Sequence, residues 1–491
     1  MAYNSNEKQI MLPDDFLLPF DGKLDKENRW VKLAALIPWW KFEDKYRKNF
    51  KNTFHGQGAF SVRVALGSLI IKTRLGLSDE ETVSQIAENC YMQYFLGYPK
   101  FKVGAPFASS LITHFRKRFN TDILNEVNDM ITGIDKKNDD NSQDLPPGSG
   151  DVGKDEPIEG SDCIKAGKML LDATCAPADI QYPTDVRILN ESREKLETII
   201  DILHSPEKGT KKKSRTYRQK AHESYINFTK QRKPRMDQIR RMKGKLLRYI
   251  RRDLKIVNVL ADRNGFELLK PKQYKDYLVI NEVYRQQLEM FEKKTSRIED
   301  RIVSISQPHV RPIVRGKASA AVEFGAKLSV SVVNGFVYME KLQWDAYNEG
   351  NTLIESLYRY KEKFGFYPEA VLADKIYKSR ENREFCKQLG IRLSGPKLGR
   401  PFEDEKKEAK HQARIDSGER NEVESKFGTG KRKFTLSRIT AKLKETSETV
   451  IILNLLVMNL EKKLRLLLYL FSKWLNRLNF GLERLDYTYV Y

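Results

Sequence analysis

Apolar residues recur at helical spacing between residues 29 and 134, and this pattern predicts amphipathic helices packed on a shared core. We expect an all-helical N-terminal domain over residues 1–134. Its last strong helix is predicted from Ala108 to Phe119. A helix start is indicated at Ser78, which three acidic residues follow.

Residues 135–162 have the composition of a flexible linker. They include nine acidic residues against three lysines, with Asn, Ser, Pro and Gly between them and almost nothing to bury. The segment is either a passive tether or a negatively charged element that keeps basic surfaces away from their partner.

A short apolar run, Met169 to Leu171, follows this linker and stops at Asp172. Glycine and proline bound it, so we predict a strand that ends at the aspartate. The charged region from Ser192 to Ile305 then carries two series of apolar residues at helical spacing. They predict two long helices packed as a hairpin, which form an insertion at about residues 190–305.

The clearest β-hairpin signal comes after this insertion. Apolar and polar residues alternate from Phe324 to Val332, and Asn334-Gly335 follows at a predicted turn. The later elements are predicted as helix Asn351 to Lys363, strand Tyr367 to Leu372 leading through Ala373 to Asp374, helix Ser379 to Leu389 and strand Ile391 to Leu393. This order indicates an α/β fold, a mixed sheet covered by helices, which is the layout of a ribonuclease-H-like core.

Charge then changes the functional picture. The chain has 491 residues and 88 lysines and arginines against 66 acids, a formal charge of +22. Nucleic acid is the leading partner, with anionic lipid or mere solubility as alternatives. Two basic surfaces stand out: Arg116 and Arg118 in the N-terminal region, and Arg232 to Arg252, with ten basic residues against one acid. We expect DNA contacts there, including Arg240 and Arg241, against the alternative of solvated or coiled-coil surfaces.

The sequence has no clear signal for secretion, for disulfide formation or for a membrane span. The four cysteines form no CxxC or Cys/His cluster, which argues against a disulfide framework or a zinc site and fits a reducing cytoplasm. The N-terminus lacks the order of a secretion signal. Val450 to Leu460 is interrupted by Asn454 and Asn459, too short and too polar for a bilayer. We expect a core helix there and a C-terminal helical tail over residues 461–491. The helical stretch Val450 to Leu478 either supplies a dimer contact or completes the core.

Three carboxylates are the candidate catalytic residues. Asp172 and Asp374 each follow an apolar strand-like run, and Glu424 lies in a predicted helical stretch from Arg420 to Phe427. Strand ends in mixed sheets project side chains into a common crevice. Oxygen-only ligand sets suit Mg²⁺ or Mn²⁺, and two such ions roughly 4 Å apart support in-line displacement at phosphorus.

Several motifs resemble those of the bacterial insertion-sequence DDE transposases of the insertion-sequence four/five superfamily, from about residue 30 to 460. The motifs are LLDAT with Asp172, RPIVRGK leading into VEFGAK, VLADKIY with Asp374, RLSGPKLGRP, and RNEVESKFGTGKR with Glu424. In that family the third acid lies in a Tyr, Arg, Glu, Lys pattern. Arg420, Glu424 and Lys431 stand at its spacings, whereas Ser417 replaces the tyrosine, and Glu422 is a weaker candidate than Glu424.

The resemblance implies a ribonuclease-H-like catalytic domain over residues 163–460 and two magnesium ions, with manganese possible. It also implies recognition of terminal inverted repeats in double-stranded DNA, strand cleavage and strand transfer. A homodimer is expected because two element ends must be paired, and we expect a cytoplasmic, nucleoid-associated protein without membrane contact. The alternative is a catalytically inactive, transposase-derived DNA-binding protein.

Further cations are candidates for DNA contact. Arg420 and Lys431 would hold phosphates near the metals. Lys375, Arg392, Lys397 and Arg400 follow the second aspartate in or near glycine- and proline-bearing loops. His309 is expected to be structural, since water activated by a metal needs no histidine base.

Overall fold

The computed structural model describes residues 12–18, 22–50, 58–133, 166–314, 322–395 and 403–486. The helices of the N-terminal region are α1 (Arg29–Leu36), α2 (Trp40–Arg47), α3 (Val62–Leu75), α4 (Asp79–Glu88), α5 (Cys90–Phe95), α6 (Ser110–Arg118) and α7 (Thr121–Thr132). The Ser78 side chain accepts a hydrogen bond from the backbone N–H of Glu81 at the start of α4. The helical prediction for this region is confirmed. The helix predicted from Ala108 to Phe119 is α6, but it is not the last strong helix, because the longer α7 follows it.

The strands form one mixed sheet: β1 (Lys168–Pro177), β2 (Arg311–Val314), β3 (Val322–Val333), β4 (Phe336–Gln343), β5 (Ala370–Ala373) and β6 (Arg392–Leu393). Their order is β2-β3-β1-β5-β6, and β4 also pairs with β3. β1 is antiparallel to β3 and parallel to β5, and β6 is parallel to β5. The predicted α/β architecture with a mixed sheet is therefore confirmed.

The predicted hairpin consists of β3 and β4. Its turn residues Asn334 and Gly335 both have positive φ, 49° and 73°. Two successive residues of this kind twist in the same sense as the strands that they connect. The Asn-Gly pair therefore fixes the hairpin register.

Four helices lie between β1 and β2 in the described chain: α8 (Asp185–Leu203), α9 (Arg218–Thr229), α10 (Met236–Asn264) and α11 (Pro271–Glu292). Buried residues of α8, α10 and α11 form a hydrophobic cluster separate from that of the sheet. The predicted two-helix hairpin is therefore wrong in its helix count. A pair of amphipathic helices would leave an apolar stripe in water, and α8 covers this stripe with residues such as Leu196 and Ile200.

The helices that cover the sheet are α12 (Leu353–Phe364), α13 (Arg380–Gln388), α14 (Glu403–Lys433) and α15 (Lys444–Asp486). Side chains alternate between the two faces of a strand. Met169 and Leu171 therefore share a core with α12 and α13, whereas Leu170 and Leu372 share one with α14 and α15.

Helix α15 joins the N-terminal helices to the sheet. Its buried residues from Ile451 to Leu464 belong to one hydrophobic cluster with Trp30, Phe95 and Val330. The tail predicted from residue 461 is the continuation of α15, which runs unbroken through that position. Across the described ranges, no helix combines the length and the apolar composition needed to cross a bilayer.

Candidate active site

Two aspartates lie side by side on neighbouring parallel strands. Leu171 of β1 is the register partner of Ala373 of β5, and the next residues are Asp172 and Asp374. Adjacent strands are about 4.8 Å apart, and residues at equivalent positions of parallel strands point to the same face. Pairing of β1 with β5 thus brings together two carboxylates that are about 200 positions apart in sequence.

The two aspartates differ in backbone setting. Asp374 follows β5 directly and caps a 3-10 turn, Lys375–Tyr377. Asp172 lies inside β1, which continues to Pro177 because its antiparallel pairing with β3 extends that far. The predicted strand end is therefore correct for Asp374 and wrong for Asp172, although the parallel pairing of β1 with β5 does stop just before Asp172.

Helix α14 brings Glu424 and Arg420 to the aspartates. The two residues are one helical turn apart and share a face. Arg420 donates through Nη1 to Asp374 Oδ1 at 3.1 Å, and its Nη2 lies 3.9 Å from Glu424 Oε1. The Arg420 charge also acts on Asp172. One guanidinium therefore bonds to Asp374, lies 3.9 Å from Glu424 and, through its charge, partly offsets the burial that raises the pKa of Asp172.

Contacts along α14 fix this placement. Asp416 accepts two hydrogen bonds from Arg392 of β6, at 2.7 and 3.0 Å. Glu419 pairs with Lys168 at the start of β1 at 2.7 Å, and Val423 is fully buried in the core under the helix. These contacts anchor α14 to β6, to β1 and to the core. They hold the polar face that carries Arg420 next to Asp374.

The aspartates have opposite electrostatic environments. Burial raises the pKa of Asp172, and the charges of Glu349 and Asp374 raise it further. The backbone N–H of Lys375 lowers the pKa of Asp374, with a further lowering by Arg420. An added positive charge would therefore stabilise the ionised form of Asp172 more than that of Asp374.

The acids around Arg420 supply carboxylate oxygens, which suit a hard divalent cation. Among the residues that the structure describes, no three His, Cys, Asp or Glu side chains stand close enough together to hold one ion. The guanidinium of Arg420 already provides positive charge next to Asp374 and Glu424. The residues thus fit a divalent cation in ligand type and charge.

Glu422 faces another part of the molecule. Its Oε1 lies 4.0 Å from Lys426 Nζ, and it would be 2.7 Å from a Cβ added to Gly335 in the β3–β4 turn. Of these two glutamates, Glu424 is therefore the one that lies next to Arg420, the partner of Asp374, and its choice as the third acid stays a prediction.

Comparisons with known families agree with this geometry. The family described as Transposase DDE domain matches residues 371–461, which include Asp374 and Glu424. The family described as Transposase domain (DUF772) matches residues 18–118. The two family matches support an insertion-sequence DDE transposase. The chain is also similar to an uncharacterized protein, ORF8 in the nfe locus, of Rhizobium meliloti, with 28% identity over 168 residues, 34% of this chain and 70% of that protein. No solved structure matches the chain.

The predicted DNA contacts near the acids have different surroundings in the transposase. Lys375 is exposed in the turn that follows Asp374, and Lys431 lies in the last turn of α14. Arg392 is engaged by Asp416. Lys397 and Arg400 lie outside the described residues.

The predicted contacts farther away also divide into two kinds. Arg116 donates two hydrogen bonds to Asp79, at 2.9 and 2.7 Å, and its side chain is 12% exposed. Arg118 donates to the Tyr46 hydroxyl at 3.0 Å. Arg240 stacks on the ring of Phe291, whereas Arg241 is 77% exposed. The first two therefore stabilise the N-terminal helices, and Arg241 is the most accessible of the four.

His309 has a structural environment. It packs edge-on against Trp344, with ring centroids 4.3 Å apart. Burial lowers its pKa to about 4, and Lys275 is among the nearby cations that lower it further. The ring is therefore neutral at physiological pH, as expected for a structural histidine.

Glu349 is an acid that no sequence motif marks. This residue lies in a 3-10 helix, Glu349–Thr352, after β4, and its charge acts on Asp172. No apolar run precedes it, so the strand-end criterion could not detect it. Its partner Lys327, 2.9 Å away, is the last residue of the VEFGAK motif, which was the available signal.

Proposed function

We propose that this transposase binds the terminal inverted repeats of a mobile element and catalyses metal-dependent strand cleavage and strand transfer. The observation that carries the proposal is that Asp172 and Asp374 lie on neighbouring strands while Arg420, one helical turn before Glu424, donates to Asp374. Like charges repel, so the fold gains no stability from placing carboxylates near one another.

We propose a ribonuclease-H-like core as the scaffold. The strand directions support it: β4, β3 and β1 are consecutive antiparallel neighbours, and β1, β5 and β6 are parallel. The first two acids then lie on the central pair of strands, β1 and β5, and the third on a helix that crosses them.

Asp172, Asp374 and Glu424 would hold two Mg²⁺ ions, or Mn²⁺ in their place. Such ions, when bound, activate the attacking oxygen and stabilise the leaving oxygen. The side chains of the protein have separate tasks. Arg420 balances the acids in the structure and would donate to a phosphate of the bound strand, while the exposed Lys375 and the half-buried Lys431 would hold neighbouring phosphates.

Double-stranded DNA is the proposed substrate, and the insertion contributes to its binding surface. Lys243 of α10 pairs with Asp185, the first residue of α8, and Asn264 at the end of α10 donates to the carbonyl oxygen of Leu203, the last residue of α8. The two helices therefore run parallel. The basic segment 230–241 therefore lies at the end where α8 begins, and residues 178–184 connect this end to β1, the strand that carries Asp172.

The test is cleavage of DNA that carries the ends of the element, in the presence of Mg²⁺. We expect Asp172→Ala, Asp374→Ala and Glu424→Ala each to reduce cleavage by at least about 100-fold, an order expected for loss of a group that stabilises the transition state, while DNA binding persists. Glu422→Ala, on the same helix, is the matched control and should cut normally. Undiminished cleavage by Asp172→Ala would refute the proposed chemistry, and a wild-type protein that binds but never cuts would favour the inactive alternative.

Two copies are proposed to pair the two ends of the element. Sedimentation of the protein with a single-end DNA should give a complex with two proteins and two DNA molecules. A complex of one protein with one DNA at all concentrations would contradict the proposed homodimer.

A further inference from the structure

A buried hydroxyl group holds the residue that precedes Asp374. Ser394 directly follows β6 and is 7% exposed. Its Oγ accepts from the backbone N–H of Ala373 at 3.1 Å and donates to the carbonyl oxygen of the same residue at 3.2 Å. One side chain thus bonds both backbone groups of the last residue of β5.

The hydroxyl replaces strand pairing that β6 does not provide. β6 pairs with β5 at Ala370 and Val371, and the backbone N–H of Ser394 donates to the carbonyl oxygen of Val371 at 2.9 Å. The chain then reaches Gly395, which has a positive φ of 102°. Ala373 lies two residues beyond Val371, so its backbone groups point to the same side. Since Ala373 is 2% exposed, these groups need a protein partner, and the Ser394 hydroxyl supplies it.

The backbone that follows Asp374 is held separately. The buried Asn382 donates its side-chain amide to the carbonyl oxygens of Gly350 and Tyr377, at 2.7 and 2.8 Å. Tyr377 is the last residue of the 3-10 turn that Asp374 caps. Asp374 therefore lies between two backbone positions, Ala373 and Tyr377, that buried polar side chains hold.

β6, which carries Ser394 at its end, is also connected to the helix that contacts Asp374. Arg392 of β6 donates to Asp416 of α14 at 2.7 and 3.0 Å. One turn later on α14, Arg420 donates to Asp374 Oδ1 at 3.1 Å. The backbone next to Asp374 and the carboxylate itself are therefore held by two elements that are bonded to each other.

We propose that Ser394 is a positioning residue, which fixes the Asp374 carboxylate for metal binding by holding Ala373. The inference rests on the proposed function, because Asp374 is proposed there as a metal ligand. Without the hydroxyl, two buried backbone groups of Ala373 lose their partner, and the end of β5 shifts toward other partners. A displacement of about 1 Å in a reacting group can lower a rate by roughly 100-fold.

The experiment uses the full-length protein and measures Mn²⁺ binding without DNA by isothermal titration calorimetry. It also measures DNA affinity and the single-turnover rate constant for cleavage of the element's ends at saturating Mn²⁺. Ser394→Ala should weaken Mn²⁺ binding by about 10-fold and lower the rate constant by roughly 10- to 100-fold, while DNA affinity is unchanged. Ser394→Thr keeps the hydroxyl and should restore both values.

Ser68→Ala is the matched control. Ser68 is also fully buried, but its hydroxyl donates only to the carbonyl oxygen of Val64 in its own helix, α3. This variant should retain the wild-type Mn²⁺ affinity and rate constant, and losses equal to those of Ser394→Ala would overturn the proposal.

These measurements distinguish a positioning role from a merely structural one. If Ser394 only stabilises the fold, Ser394→Ala lowers the melting temperature but keeps the wild-type Mn²⁺ affinity and rate constant below that temperature, and this result overturns the proposal. A Ser394→Thr variant as impaired as Ser394→Ala also overturns it. If Ser394→Ala does not fold, Ser394→Cys decides, because its thiol has a similar shape but is a weak donor and acceptor; an unchanged Mn²⁺ affinity there overturns the proposal.

Asp374→Asn separates this inference from the proposed function. We expect this variant to lose most Mn²⁺ binding and cleavage. If Asp374→Asn binds Mn²⁺ and cuts as well as the wild type, the metal centre of the proposed function fails. If Asp374→Asn loses both activities while Ser394→Ala retains both, the positioning role of Ser394 alone is refuted.

Discussion

At the scale of single residues, Asp253 of α10 is a buried carboxyl group whose loss of hydration is not offset by hydrogen bonds from the described residues. It is fully buried, and neither of its oxygens accepts a hydrogen bond from the described residues. Burial raises its pKa to about 7, and the charge of Glu197 contributes. The folded state therefore takes up a proton at Asp253 more readily than the unfolded chain does.

A folded-state pKa above the unfolded value gives stability that is present at low pH and lost as pH rises through the folded pKa. For Asp253 this window extends from about pH 4 to about pH 7. Asp253→Asn, which stays neutral, should therefore gain stability relative to the wild type by roughly 1–4 kcal/mol between pH 5 and pH 8. Thermal unfolding of both proteins across this range measures the difference.

Asp237→Asn is the control for loss of one negative charge, because Asp237 lies on the same helix with its side chain 60% exposed. A stability difference between Asp253→Asn and the wild type that stays constant from pH 5 to pH 8 would contradict the buried-carboxyl explanation.

At the residue scale, a sequence motif marks Asp172, Asp374 and Glu424, and their catalytic role stays a prediction. The structure places the two aspartates on neighbouring strands and pairs Arg420 with Asp374. Glu349 and Asp253 stand in none, and their roles come from tertiary neighbours, Asp172 in one case and Glu197 in the other. A sequence pattern encodes local periodicity, so contacts of this kind are not readable from it.

At the scale of elements, the edge strand β4 is covered by side chains of α15 and α7. Asn459, fully buried in α15, accepts from the backbone N–H of Val337 at 2.8 Å and donates to its carbonyl oxygen at 2.8 Å. It also donates to Asn128 of α7 at 2.8 Å. One asparagine therefore satisfies both backbone groups of Val337 on the side where no strand pairs, and it connects three elements.

Asn459→Leu should lower the free energy of unfolding by about 2–4 kcal/mol, because it leaves both backbone groups of Val337 and the Asn128 side chain without this partner in the core. Urea denaturation measures the effect. Asn454→Leu is the matched control: Asn454 is also fully buried in α15, but its amide bonds only to Val450 of its own helix. We expect a change within about 1 kcal/mol there, and equal losses in the two variants would contradict the explanation.

Element prediction was good for periodic segments and poor where partners decide the outcome. The apolar run around Asn454 and Asn459 was correctly predicted as a core helix, although its two polar interruptions could not be assigned. β1 was predicted too short, because its second half is held as a strand by β3. α8 was not predicted as a separate helix of the insertion, because its apolar stripe is buried by packing against α10 and α11, which the local sequence does not reveal.

At the scale of the whole molecule, the insertion presents basic residues at both of its ends. Arg232, Lys233 and Arg235 lie at the end where α8 begins, which follows β1 in the chain, and Lys208, Lys212 and Arg215 lie beyond the far end of α8. No described acidic residue forms an ion pair with these six. α8 has 19 residues, so the two ends are roughly 28 Å apart.

This separation allows a matched test of where DNA binds. Replacing Arg232, Lys233 and Arg235 by glutamine should weaken DNA binding and reduce the slope of log affinity against log salt by about 2–3, since each lost phosphate contact contributes about 0.9. The same replacement of Lys208, Lys212 and Arg215 removes equal charge and should change the slope by less than about 1. Fluorescence anisotropy with DNA at several salt concentrations measures both, and equal slopes in the two triple variants would contradict binding near the acids.

The two regions that the family comparisons match, 18–118 and 371–461, have a common interior built on α15. Because Ile451 to Leu464 are sheltered by the N-terminal helices as well as by the sheet, neither region retains a complete core without the other. Exchange of the first region between related elements therefore requires compensating changes along α15, and the two regions should be inherited together and diverge in concert.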